Sequence, residues 1–239
     1  MMPSALNRFR LLPILTPRLL FLLVFLASGL LGVRAGQAGM SDMCKVPSQL
    51  LQTPYPLTAV KAKLGRGDAV KIVAIGSSST SGTGASSQRA TYPSRLQGEL
   101  QAMFPQAKVT VLNRGVPGDT SPAMLARFQR DAIDPKPDLI VWQTGTNSAL
   151  GHKDIEAFTD DLVRGIRMAR AAGIEIMLMG PQFAPRFESV HDRNLYMRHL
   201  YTVAQLERVP LFRRYEIMKY WIQSSQFTIK TMIHPDGLH

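Results

Sequence analysis

The sequence has little acid, one cysteine and no nucleotide-binding signature. Cys44 is the only thiol among 239 residues, which excludes an intrachain disulfide and leaves stability to a packed core. Its approach, Ser41-Asp42-Met43, lacks the leucine-rich, small-residue pattern of a lipid anchor, so Cys44 reads as a free thiol near the mature amino terminus. The lysine of a phosphate-binding loop, G-x-x-x-x-G-K-[ST], is missing from the one glycine- and serine-rich loop that follows a strand-like run. No other nucleotide motif and no nucleic-acid motif occurs, so neither a cofactor nor a nucleic-acid partner is expected. Repeats and disordered stretches are lacking too. A composition of 45% hydrophobic and 19% charged residues is that of one ordinary globular domain.

Acid is missing altogether from residues 1–38. That stretch carries Arg8, Arg10, Arg18 and Arg34, runs apolar over residues 19–33 and ends in small residues, the layout of a secretory signal peptide. Cleavage after Ala35 or Ala38 is expected, giving a periplasmic or secreted product. The apolar run falls short of the roughly 20 residues of a spanning helix, and an uncleaved amino-terminal membrane anchor is the lesser alternative. The whole chain carries +11; removing those four arginines leaves 24 basic residues against 17 acidic ones, or +7. Such a charge suits weak association with anionic surfaces, whether glycans or lipid headgroups. Arg164, Arg167 and Arg170 recur every three residues on an expected helix, either as a binding stripe or, more simply, as a solvated face.

Residues 39–66, with Pro47, Pro54 and Pro56, read as an irregular lead-in holding one short helix over 58–64, with Thr58 as its cap. The remainder, 67–239, reads as one domain in which strand-like runs alternate with helical periodicity. Strands are expected over 70–75, 108–112, 139–144, 174–179 and 210–215. Between them, Tyr92, Leu96, Leu100 and Met103, and then Ile155, Phe158, Leu162, Ile166 and Ala169, keep helical spacing and mark core faces. Further helices fit 122–133, with Pro122 in the first turn, and 189–207. This alternation predicts an α/β fold, a three-layer α/β/α sandwich around a mostly parallel five-stranded sheet.

Chemistry concentrates at two places. After β-branched Val70, Ile72, Val73 and Ile75 the chain meets Gly76 and three hydroxyls, Ser77, Ser78 and Ser79, so one serine can stand at the carboxyl end of a buried strand, where open α/β sheets bind ligands. Alone, such a loop is as well read as a plain connection or a phosphate cradle. At the far end, Asp236 and His239 lie three residues apart in a loop punctuated by Pro235 and Gly237. An aspartate so placed can accept the Nδ1 proton of His239 and leave Nε2 as the base for a serine hydroxyl. His234, Asp236 and His239 could alternatively be three metal ligands, but no Cys, Glu or further His completes a site. His152, His191 and His199 have no partnered nucleophile and read as surface or satisfied polar residues.

These residues resemble those of the SGNH hydrolases, also called GDSL-like lipases and esterases, over residues 71–239. Four blocks occur in order: Gly76-Ser77-Ser78, residues 113–120 (NRGVPGDT), Gly145-Thr146-Asn147 and Asp236-Gly237-Leu238-His239. The resemblance implies a flavodoxin-like α/β/α fold, Ser78 as nucleophile with Asp236 and His239, and an oxyanion hole of Ser78, Gly118 and Asn147. Pro117-Gly118 suits a turn with positive φ that bares the glycine N–H. Ser77 replaces the usual aspartate of the first block, and Ser148 the usual acid after the asparagine; altered hydrogen bonding around the nucleophile and pocket is expected. The resemblance implies hydrolysis of carboxylic esters through an acyl-enzyme on Ser78, with short-chain acyl esters, carbohydrate O-acetyl esters, lipids or thioesters as substrates. Its alternatives are acyl transfer to glycans and an inactive ligand-binding member of the same fold. Because the sequence stops on the expected base, His239, a natural chain that runs on into a closing segment is also expected.

Overall fold

The computed structural model describes residues 44–239; the expected leader lies outside the described residues. Five parallel strands, β1 (Val70–Gly76), β2 (Val109–Gly115), β3 (Leu139–Gln143), β4 (Glu175–Met179) and β5 (Leu211–Phe212), form one sheet in the order β2-β1-β3-β4-β5. This is the flavodoxin-like order, and its topological switch point lies between β1 and β3.

Side chains alternate across the sheet with period two. Val70 and Ile72 of β1, Leu139 and Val141 of β3, and Met177 and Met179 of β4 face one layer. Val73 and Ile75, Ile140 and Trp142, and Ile176 and Leu178 face the other. Both faces are therefore covered, as a parallel sheet requires. The first layer holds the helices α2 (Thr58–Arg66) and α4 (Tyr92–Met103), which follow the single turns α1 (Ser48–Leu51) and α3 (Ser78–Ser81) respectively. The second holds α5 (Ser121–Ala126), α7 (Ile155–Ala171) and α9 (Arg193–Leu206), with the short α6 (Thr146–Leu150) and α8 (Pro185–Glu188) between them. The chain closes through α10 (Arg214–Gln223) and the single turn α11 (Ile229–Met232). Residues 46–239 make one compact unit.

Helix α7 shows why these residues are helical. Asp154 caps it by accepting the Ala157 N–H at 2.7 Å, and Phe158, Leu162, Ile166 and Ala169 are all buried at the expected spacing. Gly165 lets the helix lie directly on Trp142, because a Cβ there would come within 2.3 Å of the indole.

Several boundaries differ from expectation. Thr58 is the first helical residue of α2 and not its cap: the Glu175 carboxylate, from β4, accepts the Ala59 and Val60 N–H groups at 3.1 and 2.9 Å. Met103 is 69% exposed, and Phe104, at the helix end, turns into the core in its place. The expected helix over 122–133 breaks at Arg127 into α5 and a wider π turn over Gln129–Ile133. The helix expected over 189–207 begins only at Arg193, after a separate turn, α8. Strand β2 runs on to Gly115, while β5 is two residues long, since the backbone enters α10 at Arg214. Of the arginine stripe, Arg167 and Arg170 both reach Glu207, so it is an ion-paired helix face.

Candidate active site

Gly76 ends β1, and Ser77 turns the backbone so that Ser78 opens the one-turn helix α3. The first N–H groups of a helix have no acceptor within it, so the Ser78 N–H is free to face a ligand. The helix sits very close to the sheet. A Cβ on Gly76 would lie 2.1 Å from Thr80 Oγ1, and one on its sheet neighbour Gly115 would lie 2.1 Å from the Ser81 nitrogen. Only glycine fits at either place, and this pair fixes the depth of Ser78.

Buried Gln143, at the end of β3, fixes its orientation. Its Oε1 accepts the Ser77 N–H at 3.0 Å, the Ser77 hydroxyl at 3.2 Å and the Thr80 hydroxyl at 3.0 Å. Ser77 thus spends its side chain inward, on the scaffold. Thr80 also pairs with Tyr92, whose phenol is pushed up to about 12, chiefly by burial. Ser148 is likewise buried, against the Ser121 hydroxyl and N–H at 3.4 Å, and Ser121 in turn donates to Asp161 at 2.7 Å.

The carboxyl-terminal loop brings His239 to Ser78. His239 Nε2 lies 2.6 Å from Ser78 Oγ, and His239 Nδ1 lies 2.5 Å from Asp236 Oδ2. The other carboxylate oxygen accepts the Leu238 and His239 N–H groups at 2.9 and 3.0 Å, so Asp236 shapes the loop as well as orienting the ring. Gly237, at φ 75°, supplies the left-handed turn. The loop is anchored where Gln182 Nε2 donates to the Leu238 carbonyl at 2.9 Å, where the Arg186 N–H donates to the Gly237 carbonyl at 3.0 Å, and by Leu238 buried against Ala184 and Ile233. Partial desolvation raises the Asp236 pKa, but its hydrogen bonds to His239 and to the Leu238 N–H, with the electrostatic attraction of His239, outweigh it and hold the carboxyl well below the usual range. With Asp236 ionised and accepting from Nδ1, Nε2 is left to take the serine proton. His234 Nδ1 stands 3.4 Å from Asp236 Oδ2, but both nitrogens of His239 are already engaged, which removes the third ligand of the metal reading. Of the other histidines, His199 pairs with Thr159 at 2.8 Å and His152 approaches Asp192 at 3.7 Å.

Gly118 has φ 84° and is exposed, with open space where a Cβ would point. Asn147, in the first turn of α6 after Gly145 at φ 97°, donates one amide hydrogen to the Asp119 carbonyl at 2.9 Å. Its second hydrogen remains to be given, next to the Asp119-Thr120 peptide. Ser78, Gly118 and Asn147 thus follow β1, β2 and β3 on one edge of the sheet. A cavity of about 520 Å³ opens beside His239, lined by Tyr92, Arg214, Lys230 and His234 among others and by no Asp or Glu. Arg214, half-buried in the cavity wall, donates to the Gly180 carbonyl at 3.1 Å and Gln182 Oε1 at 2.7 Å, and desolvation pulls its guanidinium down to about 10.

Two supporting residues escaped the sequence reading. Gln143 could have been found, because a polar residue closing the apolar run LIVWQ must be partnered once buried. Arg127, which holds Asp119, carries no such mark.

Among proteins of known activity, the chain is 33% identical over 64 residues to an acetylxylan esterase of Geobacillus stearothermophilus, covering 27% of this chain and 29% of that protein. It is 32% identical over 87 residues to Esterase TesA of Pseudomonas aeruginosa, covering 35% of this chain and 43% of the relative. The matched stretches therefore span less than half the length of either relative. A crystal structure of a two-domain esterase active on acetylated mannans superposes with a TM-score of 0.63 at 21% identity, over 78% of this chain and 48% of that one. At that identity the likeness speaks to fold, and the fold is the α/β/α sandwich expected of an SGNH hydrolase. Residues 43–239 match the model of the Non-GDSL lipase-like family, and the chain belongs to that family.

Proposed function

We propose that this protein is an exported serine esterase that hydrolyses carboxylic esters through an acyl-enzyme on Ser78. The observation that carries the reading is the unbroken relay from Ser78 Oγ through His239 to Asp236, at 2.6 and 2.5 Å. Ser78 Oγ attacks the ester carbonyl as His239 Nε2 takes its proton, and the carbonyl oxygen becomes an oxyanion. The Ser78 and Gly118 N–H groups and the free Asn147 amide hydrogen are the donors proposed for it. The intermediate collapses, His239 returns the proton to the departing alcohol, and the acyl group stays on Ser78. Water, deprotonated by the same imidazole, then attacks the acyl-enzyme and releases the acid.

O-acetyl esters of glycans are the proposed substrates. The relatives support this, one named an acetylxylan esterase and another esterase active on acetylated mannans. Leader-like residues 1–38 support action outside the cytoplasm, where such polymers are met. The test is a panel of p-nitrophenyl esters from acetyl to palmitoyl, alongside acetylated xylan and mannan and a serine-directed phosphonate. Short acyl chains are expected to turn over fastest and the phosphonate to label Ser78. Ser78→Ala is expected to abolish turnover and labelling while keeping the fold. Turnover retained in that variant would move the nucleophile elsewhere and overturn the assignment.

A further inference from the structure

Arg127 lies where α5 breaks, and its side chain is only 10% exposed. Nε donates to Asp119 Oδ2 at 2.7 Å, Nη1 to the Arg114 carbonyl at 2.9 Å and to Asp131 Oδ2 at 3.0 Å, and Nη2 to the Gly76 carbonyl at 3.1 Å. Four of the five N–H groups of one planar fork are thereby used. Gly76 ends the strand that delivers Ser78. Arg114 precedes Gly115, on whose open face the nucleophile helix rests. Asp119 follows Gly118, and Asn147 holds Asp119 from the other side through its backbone carbonyl. The guanidinium therefore touches the framework of the nucleophile and the framework of two oxyanion donors at once. Its charge is answered by Asp119 and Asp131, while exposed Arg130 shares Asp131 at 2.7 Å, so the cluster is neutral and needs no further partner.

From this geometry we infer that Arg127 is a positioning residue of the esterase: it sets the distance from the nucleophile to the oxyanion donors on Gly118 and Asn147. The inference rests on the reading of Ser78 as nucleophile. A buried ion pair needing only charge could be met by lysine. Lysine, however, has three donors on one point and cannot bridge two carbonyls and two carboxylates lying in different directions.

The experiment compares wild type with Arg127→Lys and Asp119→Asn, with kcat expressed per active site titrated by the phosphonate. Arg127→Lys is expected to lower kcat per titrated site about 10-fold to 100-fold, the range of one impaired oxyanion donor, with KM changed less than about threefold. The pH at half-maximal kcat/KM should stay in place, because none of the Arg127 hydrogen bonds reaches Asp236 or His239. Asp119→Asn, which keeps the backbone carbonyl for Asn147, should show the same split more weakly. If both variants melt lower yet keep kcat per site within about twofold of wild type, Arg127 is structural only and the inference falls. Amide hydrogen exchange supplies a reading independent of turnover. Faster exchange at residues 115–119 in Arg127→Lys supports the clamp, and unchanged exchange there overturns it. A wild type that turns over no ester would instead count against the proposed function.

Discussion

Asp236 is asked to do two things with one carboxylate: orient an imidazole and fold its own loop. Both depend on its being ionised. Its folded pKa lies below its unfolded value, so the stability it contributes is fully present above the ordinary carboxylate value of about 3.9 and is lost as the pH falls through the depressed folded value. The expected outcome is a melting-temperature gap between wild type and Asp236→Asn that is clear at pH 5 and shrinks steadily toward pH 2. Thermal melts of both proteins across that range check it, and a gap that widens in acid would show that the loop is held by other contacts. Ser77 and Gln143 carry the contrasting lesson. Where the resemblance would put an acid at Ser77, a neutral hydroxyl and carboxamide do the fastening, so the turn that carries Ser78 is held without a buried negative charge beside it.

At the scale of elements, the strands were legible because their apolar runs are short and bounded, and four of the five appear within a few residues of expectation. The placement of the four motif blocks was legible for a related reason. Gly76, Gly145 and Gly237 mark turns in the chain just where chemistry-bearing side chains must project. Helix boundaries were less readable. Thr58 gave way as a cap to Glu175, which is 115 residues away from Val60, and no local pattern announces such a distant carboxylate. Arg127 is hidden for a different reason: its Asp131 partner, four residues on, looks like any helical surface pair, and only the Gly76 carbonyl, 51 residues away, ties it to the strand before Ser78. Gly165 offers an element-scale test. Ala is normally the better helix former, by about 1 kcal/mol. Here, however, a Cβ would strike the Trp142 ring, and Gly165→Ala is expected to destabilise the protein by roughly 1–3 kcal/mol. Urea denaturation checks the sign: stabilisation would mean that α7 can lift from the sheet at no cost.

Across the whole molecule, the parallel sheet sets where the parts of the site come from. Strands that all run one way place their ends on one edge, so residues from the first, second and third strands and from the closing loop can meet there. Parallel neighbours must also be far apart in the chain: Ile72 pairs with Leu139, and Ser78 meets His239 across 161 residues. That distance has a consequence in time. Contacts of long sequence separation require large loops to close and form slowly, whereas α7 and α9 can form locally within microseconds. After dilution from denaturant, helical ellipticity should return well before the ability to cleave an ester or to accept a phosphonate. Stopped-flow dichroism set against activity sampled during refolding will show whether the two curves separate. If they do, a newly made chain spends part of its life shaped like a hydrolase and chemically silent, its Ser78 waiting for a His239 that arrives last.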